Sequence, residues 1–521
     1  MGWGRGAPAG SVVWVVLPVG AEEVPAIEAL RVVAEPHWRL LLVPMAPWSV
    51  ATVRAAKGDR RITRVAEGTA DLGTILAQAR ASDLVVVLDQ GCSLAANAPA
   101  VFAQNGDADL VYGDEDRIGP AGERLDPFHK PAWSIDLALE QALVGTVCAV
   151  RMDRLRPALA LKNPTPHEIA LRLAGPDVVI RHVPDILAHR AGARRAAPAA
   201  DAVCDALSRL GTAATTPELV PSSILPGRCR VRWRVAAPVP RVSVIVPVRD
   251  NPALLARCTE GVLERTDYPD IELLIADNDS VDPETLALLN DLARDPRVRV
   301  LRMPGPFNYS AINNAAVAAS TGSVLVLLNS DVVVIGAEWL SEMVGHAMRP
   351  DVGAVGAKLL FENGVIQHAG VVLGVGSFEG GPGVAGHFGL GARGDAAGYA
   401  EQFVLTREVA AVTAACLALR REVFEAVGGL DAVNLTVALN DLDLCLRIRA
   451  LGLRVVWTPY ALLHHLESAS RGPDDTPATA ERFRRECRFM RDRWGAVLDD
   501  DGFYNRHFSR YDHSFLLSPP G

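Results

Sequence analysis

Strands and helices alternate through the second half of the chain, and this alternation limits the possible folds more than any other feature. Apolar runs rich in β-branched residues, such as 242–247 and 271–276, predict strands buried on both faces. Amphipathic stretches such as 252–265 and 283–294 separate these strands and predict helices. Because strands that alternate with helices form parallel sheets covered on both sides, we predict a doubly wound α/β sheet.

The first half repeats this order faintly. Three strand-like runs lie before residue 90, and IALRLAG (169–175) is similar to CLRIRALG (445–452), which suggests a diverged internal repeat. Pro, Ala and Ser cluster between residues 192 and 240, as is typical of a domain boundary. The predicted parts are a domain at 1–195, a linker at 196–240, a second domain at 241–475 and a helical extension at 476–521.

Charge and cysteine usage exclude several classes of protein. A net charge of −9 over 521 residues argues against nucleic acid as the main partner. The eight cysteines include no CxxC pair, which favours a reducing compartment and speaks against a structural zinc site. The apolar run Val12–Val19 reads as a strand rather than a signal peptide, and no run of about 20 apolar residues predicts a transmembrane helix. We therefore expect a cytoplasmic protein.

Polar clusters follow the strands of the second half. In VLVLLNSDVVV (324–334), a buried strand runs into Asn329 and Asp331, and a carboxylate there is costly unless the strand ends. Asp277 and Asn278 follow the strand at 271–276, and Arg249 follows the strand at 242–247. Because ligands bind at the carboxyl edge of open α/β sheets, these side chains are expected to line one crevice.

The motifs resemble one enzyme family. VSVIVPVRDN, LLIADNDSVD, FNYSAINNAA, VLVLLNSDVVV, TAACLALRREVFEAVGGLD and LNDLDLCLRIRALG occur in the order found in glycosyltransferase family 2. The resemblance covers residues 241–472 and is closest to bacterial rhamnosyltransferases and O-antigen assembly enzymes. It implies two tandem GT-A-like, Rossmann-like domains, the first of them degenerate, and an inverting sugar transfer.

The resemblance also implies roles for individual residues. Asp331, in the position of the DxD motif, and His465 would ligate Mn²⁺ or Mg²⁺, and Asp441 would be the general base. Lys358 and the run Gln367–Gly370 resemble acceptor-side positions. Residues implied to contact the nucleotide part of the donor are Pro247, Arg249, Asp277, Asn278, Asn313, Asn314 and Asn329.

Simpler readings compete with these roles. Asn440 could cap the helix that begins there, with Asp441 and Asp443 near its positive end. Asp443 and Arg447 form an (i, i+4) pair that suggests a structural role. Asn329 and Asn440 replace acids of the family motifs, so a non-catalytic glycan-binding scaffold stays open as an alternative function. A sugar nucleotidyltransferase is a second alternative.

The first half lacks most of the acids that the family uses. LLLVPMAPWS (40–49) contains none, Asp89 alone remains of the DxD motif, and Pro166 stands at the position of the base, ahead of Glu168. Proline neither accepts a proton nor binds a metal, so we expect no independent activity. Scaffolding, acceptor binding and dimerisation remain open as its role.

The resemblance implies a nucleotide-sugar donor linked to dTDP, UDP or GDP, and a glycan or lipid-linked acceptor in surface polysaccharide synthesis. The basic segment 481–494 is expected to be a packed surface helix, with peripheral contact to anionic lipid as the alternative.

Overall fold

The computed structural model describes residues 11–19, 38–66, 71–161, 163–194, 197–466, 476–511 and 517. The chain divides into two compact units, Met1–Leu210 and Gly211–Gly521.

The first unit is built on a nine-stranded sheet. Its strands are β1 (Val13–Val19), β2 (Trp38–Pro44), β3 (Ile62–Arg64), β4 (Leu84–Leu88), β5 (Cys92–Leu94), β6 (Leu110–Ile118), β7 (Arg124–Phe128), β8 (Val147–Arg151) and β9 (Ile180–Arg190). The order is β3-β2-β1-β4-β8-β6-β9-β5, with β7 paired to β6. The helices are Val50–Ala56, Leu72–Ile75, Ala98–Gln104, Ile135–Glu140, Pro166–Leu173 and Ala200–Leu210, with a 3₁₀ turn at Arg156–Ala158.

The second unit opens with a hairpin of β10 (Thr215–Pro221) and β11 (Cys229–Val235) and continues into a ten-stranded sheet. The strands that form the sheet are β12 (Val242–Val248), β13 (Ile271–Asp277), β14 (Val298–Arg302), β15 (Val324–Leu328), β16 (Val332–Val334), β17 (Val352–Leu360), β18 (Ile366–His368), β23 (Arg407–Glu408), β24 (Cys416–Arg420) and β25 (Arg454–His465). Short pairs outside it are β19 (Val371–Leu373) with β22 (Ala385–His387), and β20 (Ser377–Phe378) with β21 (Gly381–Pro382). The helices are Pro252–Glu264, Pro283–Leu292, Tyr309–Ala319, Trp339–Ala347, Arg421–Ala426, Asn440–Ala450 and Pro477–Leu498, with a 3₁₀ turn at Tyr399–Glu401.

The two sheets share one topology. The second runs β14-β13-β12-β15-β24-β17-β25-β16, the same order as the first with each strand replaced by its counterpart. The registers correspond as well, since Val19 lies opposite Pro44 in one unit and Val248 opposite Asp277 in the other. The α/β class and the internal repeat indicated by the sequence are both present in the structure.

The sheet is mixed rather than wholly parallel, which corrects one expectation. β12 to β15 are parallel, but β24 runs antiparallel to β15 and β17 antiparallel to β24. The sequence predicted the parallel part because helices separate those strands. The later strands are joined through β-rich loops and short strand pairs, so helix periodicity gave no indication of their direction.

The expected linker at 196–240 is largely ordered structure. It contains the helix Ala200–Leu210 and the hairpin of β10 and β11, and the boundary between the compact units falls after Leu210. Trp233 of the hairpin is buried and stacks against the Arg349 guanidinium at 4.0 Å. The Pro and Ser clusters therefore lie in the turns at the ends of these elements and do not form an extended linker.

The helix Pro477–Leu498 begins with Thr476 as its N-cap and packs through a buried stripe that includes Cys487 and Met490. The expectation of a packed surface helix agrees with this geometry. Among the described helices, none combines the length and the apolar character needed to cross a membrane.

A buried ion pair fastens the hairpin to the second sheet. Arg230 Nη1 donates to Glu342 Oε2 at 2.7 Å, and Thr458 Oγ1 donates to Glu342 Oε1 at 2.9 Å. Both charged side chains are more than nine-tenths buried. Burial acts to raise the pKa of Glu342, but His346 and Arg230 outweigh it and hold this pKa at about 2. The carboxylate therefore stays ionised where the unfolded chain would be protonated.

We expect Glu342→Gln to lower the free energy of unfolding of the second unit at pH 7 by about 3 kcal/mol, because the variant leaves the Arg230 guanidinium buried without its countercharge. Since the folded-state pKa lies below the unfolded value of 4.5, the wild-type stabilisation is complete above that pH and is lost as the pH falls towards 2. Urea unfolding followed by tryptophan fluorescence, repeated over this acid range, should show a flatter pH dependence in the variant.

Glu338→Gln is the matched control. Glu338 pairs with Arg232 of the same hairpin at 2.8 Å, but its side chain is 62% exposed, so its loss should change stability by less than about 1 kcal/mol. Equal effects of the two substitutions would show that the buried pair does not fasten the hairpin.

Candidate active site

The predicted break in the strand at Asn329 is present. β15 ends at Leu328, β16 begins at Val332, and Val332 N donates to Asn329 O at 3.2 Å across the turn between them. Asp331 is 3% exposed, so its carboxylate lies at the carboxyl edge of the sheet in a largely enclosed position. The strand therefore ends before Asp331, so the carboxylate lies at the edge of the sheet and not within the apolar strand.

His465 is the residue that the fold brings to Asp331. It is the last residue of β25 and lies opposite Val332, with Nε2 3.3 Å from Asp331 Oδ1. The neighbouring His464 points elsewhere, since its Nδ1 lies 3.1 Å from Phe361 O. The choice of His465 over His464 as the partner of Asp331 thus agrees with the geometry.

Asn329 lies next to this pair. Its Nδ2 is 3.4 Å from His465 Nε2, and its Oδ1 is 3.2 Å from Tyr309 Oη. Carboxylate oxygen and neutral imidazole nitrogen are ligands that suit Mn²⁺, and two ligand atoms 3.3 Å apart can share one ion. These residues fit a divalent metal.

A short backbone segment, Thr413–Ala415, is hydrogen-bonded both to Asp441 and to the end of β15. We call this segment the 413–415 bridge. Ala414 N donates to Asp441 Oδ2 at 3.0 Å, and Ala414 O accepts from Tyr309 Oη at 3.1 Å. The next residue, Ala415, accepts from Asn329 N through its carbonyl at 3.0 Å. Consecutive residues of one segment therefore hold Asp441 and the end of β15 together.

The start of the helix Asn440–Ala450 differs from the capping interpretation. The N-cap is Leu439, which adopts a left-handed conformation with φ 60° and makes no side-chain capping bond. Asn440 is already helical, and its Nδ2 donates to Val437 O at 2.9 Å. Asn440 as N-cap is therefore wrong, because the preceding loop turns too tightly to leave it outside the helix.

Asp443 has the structural role expected of it. It is fully buried and accepts from Arg447 Nε at 2.8 Å, as the (i, i+4) spacing predicted, and from Trp494 Nε1 at 2.9 Å. Arg493 Nη1 lies 3.3 Å from the same carboxylate. Asp441, by contrast, is only partly buried and accepts from Leu442 N at 2.8 Å. Of the two acids, Asp441 is the one available to a ligand.

The C-terminal helix also fixes the loop ahead of Asp441. Glu486 is fully buried and accepts three hydrogen bonds, from Thr436 Oγ1 at 2.9 Å, Val437 N at 3.0 Å and Ala438 N at 3.1 Å. This residue lies in a segment whose sequence suggested only a surface helix. A Glu within a basic amphipathic stretch carries no signal of burial, so sequence reasoning could not find it.

Asp277 and Asn278 close the loop that follows β13. Asp277 Oδ1 accepts from Ser280 N at 3.0 Å, and its Oδ2 is paired with Arg302. Asn278 Nδ2 donates to Met303 O at 2.8 Å, while its buried Oδ1 has no hydrogen-bond partner within the described part of the chain. The turn expected for DNDS is present. Nucleotide contact by either residue remains a prediction.

Arg249 and Pro247 lie at the end of β12, next to that loop. Pro247 is buried and lies beyond Ile245, the last residue of β12 that pairs with β15, so its missing N–H leaves no gap in that ladder. Arg249 is exposed. Asp250 then accepts from Val281 N at 2.8 Å, which ties the two loops together. Nucleotide contact by Pro247 and Arg249 also stays a prediction.

Asn313 and Asn314 differ in their surroundings. Asn314 exchanges two hydrogen bonds with the backbone of Leu430, at 2.8 and 2.9 Å, and so ties its helix to that loop. Asn313 is fully buried, and its Nδ2 donates to Tyr309 O at 2.8 Å while Oδ1 has no hydrogen-bond partner among the residues described. Their contact with a nucleotide is not tested by this geometry.

Lys358 and His368 are both buried, and His368 lies next to the 413–415 bridge. Lys358 Nζ donates to Gly394 O at 2.9 Å and Phe403 O at 3.0 Å, and burial lowers its pKa to about 8. His368 Nε2 lies 3.5 Å from Thr413 N, and its Nδ1 lies 2.8 Å from His387 Nδ1. Burial holds the pKa of His368 well below its usual value, so this ring is neutral.

Comparison with known proteins gives a match to one family model. Residues 243–428 match the family model "Glycosyl transferase family 2". The match includes Asp277, Asn329 and Asp331 and ends before Asp441 and His465.

Two curated proteins are similar over most of the chain. The uncharacterized protein y4gI of Sinorhizobium fredii is 42% identical over 437 residues, which are 80% of this chain and 46% of that protein. The O-antigen biosynthesis protein RfbC of Myxococcus xanthus is 39% identical over 378 residues, which are 71% of this chain and 29% of that protein. The chain thus spans less than half the length of either relative.

One solved structure that the chain matches is the mannosyltransferase PcManGT from Pyrobaculum calidifontis in complex with GDP-Man and Mn²⁺. It is 19% identical, with a TM-score of 0.36, and the match covers 51% of this chain and 66% of that one.

We expect Glu486→Gln to loosen the loop at 436–438, because the amide keeps only one of the two carboxylate oxygens as an acceptor. Amide hydrogen exchange followed by mass spectrometry should show faster exchange in peptides covering 436–443, by about tenfold for a loss near 1.4 kcal/mol. Glu481→Gln, an exposed position on the same helix, is the control and should leave this exchange unchanged. Unaltered exchange in both variants would remove Glu486 from the support of the site.

Proposed function

We propose that the second unit transfers a sugar, with inversion, from a nucleoside diphosphate donor to an acceptor hydroxyl, because residues 243–428 match the glycosyl transferase family 2 model. The acceptor would be a glycan or a lipid-linked glycan, and the 39% identity to an O-antigen biosynthesis protein favours surface polysaccharide synthesis. The observation that carries the proposal is that Asp331 lies 3.3 Å from His465, while the 413–415 bridge bonds both to Asp441 and to Asn329, two residues before Asp331.

Asp331 and His465 are proposed to hold Mn²⁺ or Mg²⁺ against the diphosphate of the donor. The bound ion would supply positive charge to the leaving nucleoside diphosphate, as a Lewis acid does. Asn329 lies beside the imidazole, with Nδ2 3.4 Å from His465 Nε2, and contacts Tyr309 Oη through Oδ1, so both side chains are proposed to position the site.

Asp441 is proposed to be the general base. Its two oxygens accept backbone N–H bonds from Ala414 and Leu442, which fix the position of the carboxylate. The acceptor hydroxyl would lose its proton to Asp441 as its oxygen attacks the anomeric carbon. The bond from that carbon to the diphosphate oxygen breaks on the opposite face, so the configuration inverts.

Several finer features remain predictions from the sequence. They are the donor base (thymidine, uridine or guanosine), the rhamnosyl class of sugar, the cytoplasmic location and the peripheral association with a membrane. A non-catalytic scaffold differs from the proposed enzyme in one measurable property, because it would release no nucleoside diphosphate from any donor.

We expect Asp331→Asn and His465→Gln each to weaken Mn²⁺ binding by at least about tenfold, since each removes one ligand. Isothermal titration of Mn²⁺ into the protein with a nucleoside diphosphate present measures this directly, and EDTA should abolish donor turnover in the wild type. His464→Gln is the matched control, because the adjacent ring faces Phe361 O, and it should change binding less than about threefold. Full turnover in EDTA would exclude the metal from the mechanism.

We expect Asp441→Asn to reduce sugar transfer by a factor of roughly 10²–10⁴, the usual contribution of a positioned base. Donor affinity should stay near the wild-type value, because the amide keeps the shape and one acceptor oxygen of the side chain. Steady-state kinetics with a donor panel, together with donor binding, separate the two effects. Asp443→Asn should instead lower thermal stability, since Asp443 is buried against Arg447. Weaker donor binding at unchanged turnover would assign Asp441 to the donor site.

A further inference from the structure

One exposed aromatic side chain of the second unit lies at the same edge of the sheet as the candidate active site. Of the aromatic residues that the structure describes in this unit, three are exposed: Phe307, Phe483 and Tyr511. The last two belong to the C-terminal helix and the segment after it, whereas Phe307 follows β14 at the carboxyl edge of the sheet. Its ring is 39% exposed and makes no aromatic or cation–π contact with the other described residues.

The loop that carries this ring, residues 303–308, is stiff. Two of its residues are prolines, which restrict the backbone on either side of Gly305. Asn278 Nδ2 donates to Gly305 O at 3.0 Å, and Gly305 N donates to Asp279 Oδ2 at 2.8 Å. The loop is thus bonded to the turn after β13, so looseness of the loop does not account for the exposure of Phe307.

At its other end the loop leads to the proposed metal pair. It continues into the helix Tyr309–Ala319, and Tyr309 Oη lies 3.2 Å from Asn329 Oδ1. The Nδ2 atom of the same Asn329 lies 3.4 Å from His465 Nε2. The loop therefore connects the turn after β13 to the residues around the metal pair, and Phe307 lies within this connection.

Asp277, which resemblance assigns to the nucleotide, has both carboxylate oxygens engaged. Its Oδ1 accepts from Ser280 N at 3.0 Å, and its Oδ2 is paired with Arg302. The side chain of Asp277 is also fully buried. A nucleobase that arrives at this edge of the sheet thus meets no open oxygen of Asp277, whereas the ring of Phe307 can be contacted without any rearrangement.

We propose that Phe307 is a stacking face for the nucleobase of the donor, while the diphosphate lies at the metal pair. Every nucleobase has a π-face that stacks on an aromatic side chain. Because the loop is stiff, the ring is in place before the donor arrives, and little conformational freedom is lost on binding. The inference rests on the proposed function, since it places the base of the same nucleoside diphosphate donor.

Isothermal titration calorimetry of the full chain in the presence of Mn²⁺ tests the inference. Uridine, thymidine and guanosine diphosphates are titrated into the wild type, and the one that binds most tightly is used with the variants. Phe307→Ala should weaken its binding by about 5- to 150-fold, the usual contribution of a base stacked on an aromatic side chain. Inorganic pyrophosphate has no base, so its binding should stay within about threefold of wild type.

Three further variants separate stacking from other effects of the ring. Phe307→Trp keeps a flat face and should bind the nucleoside diphosphate at least as tightly as about a third of the wild-type affinity. Phe307→Leu keeps an apolar side chain without a flat face and should bind more weakly than Phe307→Trp. Phe483→Ala is the matched control, because it removes a phenylalanine that is 44% exposed on the C-terminal helix, and it should leave binding unchanged.

Two kinds of failure are distinguishable. Nucleoside diphosphate binding that Phe307→Ala leaves unchanged would overturn the inference while the proposed function stands. Equal losses for the nucleoside diphosphate and for pyrophosphate would also overturn it, since they would show that the ring only supports the fold. A wild-type chain that binds none of the three nucleoside diphosphates would overturn the proposed function and this inference together.

Discussion

The candidate site depends on the backbone hydrogen bonds of the 413–415 bridge. Ala414 holds Asp441 by its N–H and Tyr309 by its carbonyl, and Ala415 holds the end of β15. A strand end and a helix start that are more than 100 residues apart are thereby fixed to neighbouring peptide units.

Much of the second unit could be predicted from the sequence, for a physical reason. The periodicity predicted strands at 242–247 and 271–276, each one residue shorter than β12 and β13, and the polar residues after the apolar run marked the end of β15. Pairing of Asp331 with His465 could be expected from resemblance and was found in the geometry. Each of these features depends on local pattern or on a short motif, which a single sequence records directly.

Other features depend on contacts that no local pattern records. Glu486 is buried because of a loop 50 residues earlier, and Leu439 takes the cap position because of the turn before it. The hairpin of β10 and β11 looked like a linker, since Pro and Ser mark turns as well as extended segments. The antiparallel strands of the sheet were missed because long-range pairing has no periodic signature.

The attachment of the C-terminal helix has a consequence for the order in which the site forms. Synthesis proceeds from the N-terminus, and domains fold as their parts emerge. The loop before Asp441 obtains its three hydrogen bonds from Glu486, and Asp443 obtains one from Trp494, both on the last helix of the second unit. The nascent sheet can therefore form while the region around Asp441 is still unsupported. During synthesis, the loop before Asp441 would stay loosely held until this helix has left the ribosome.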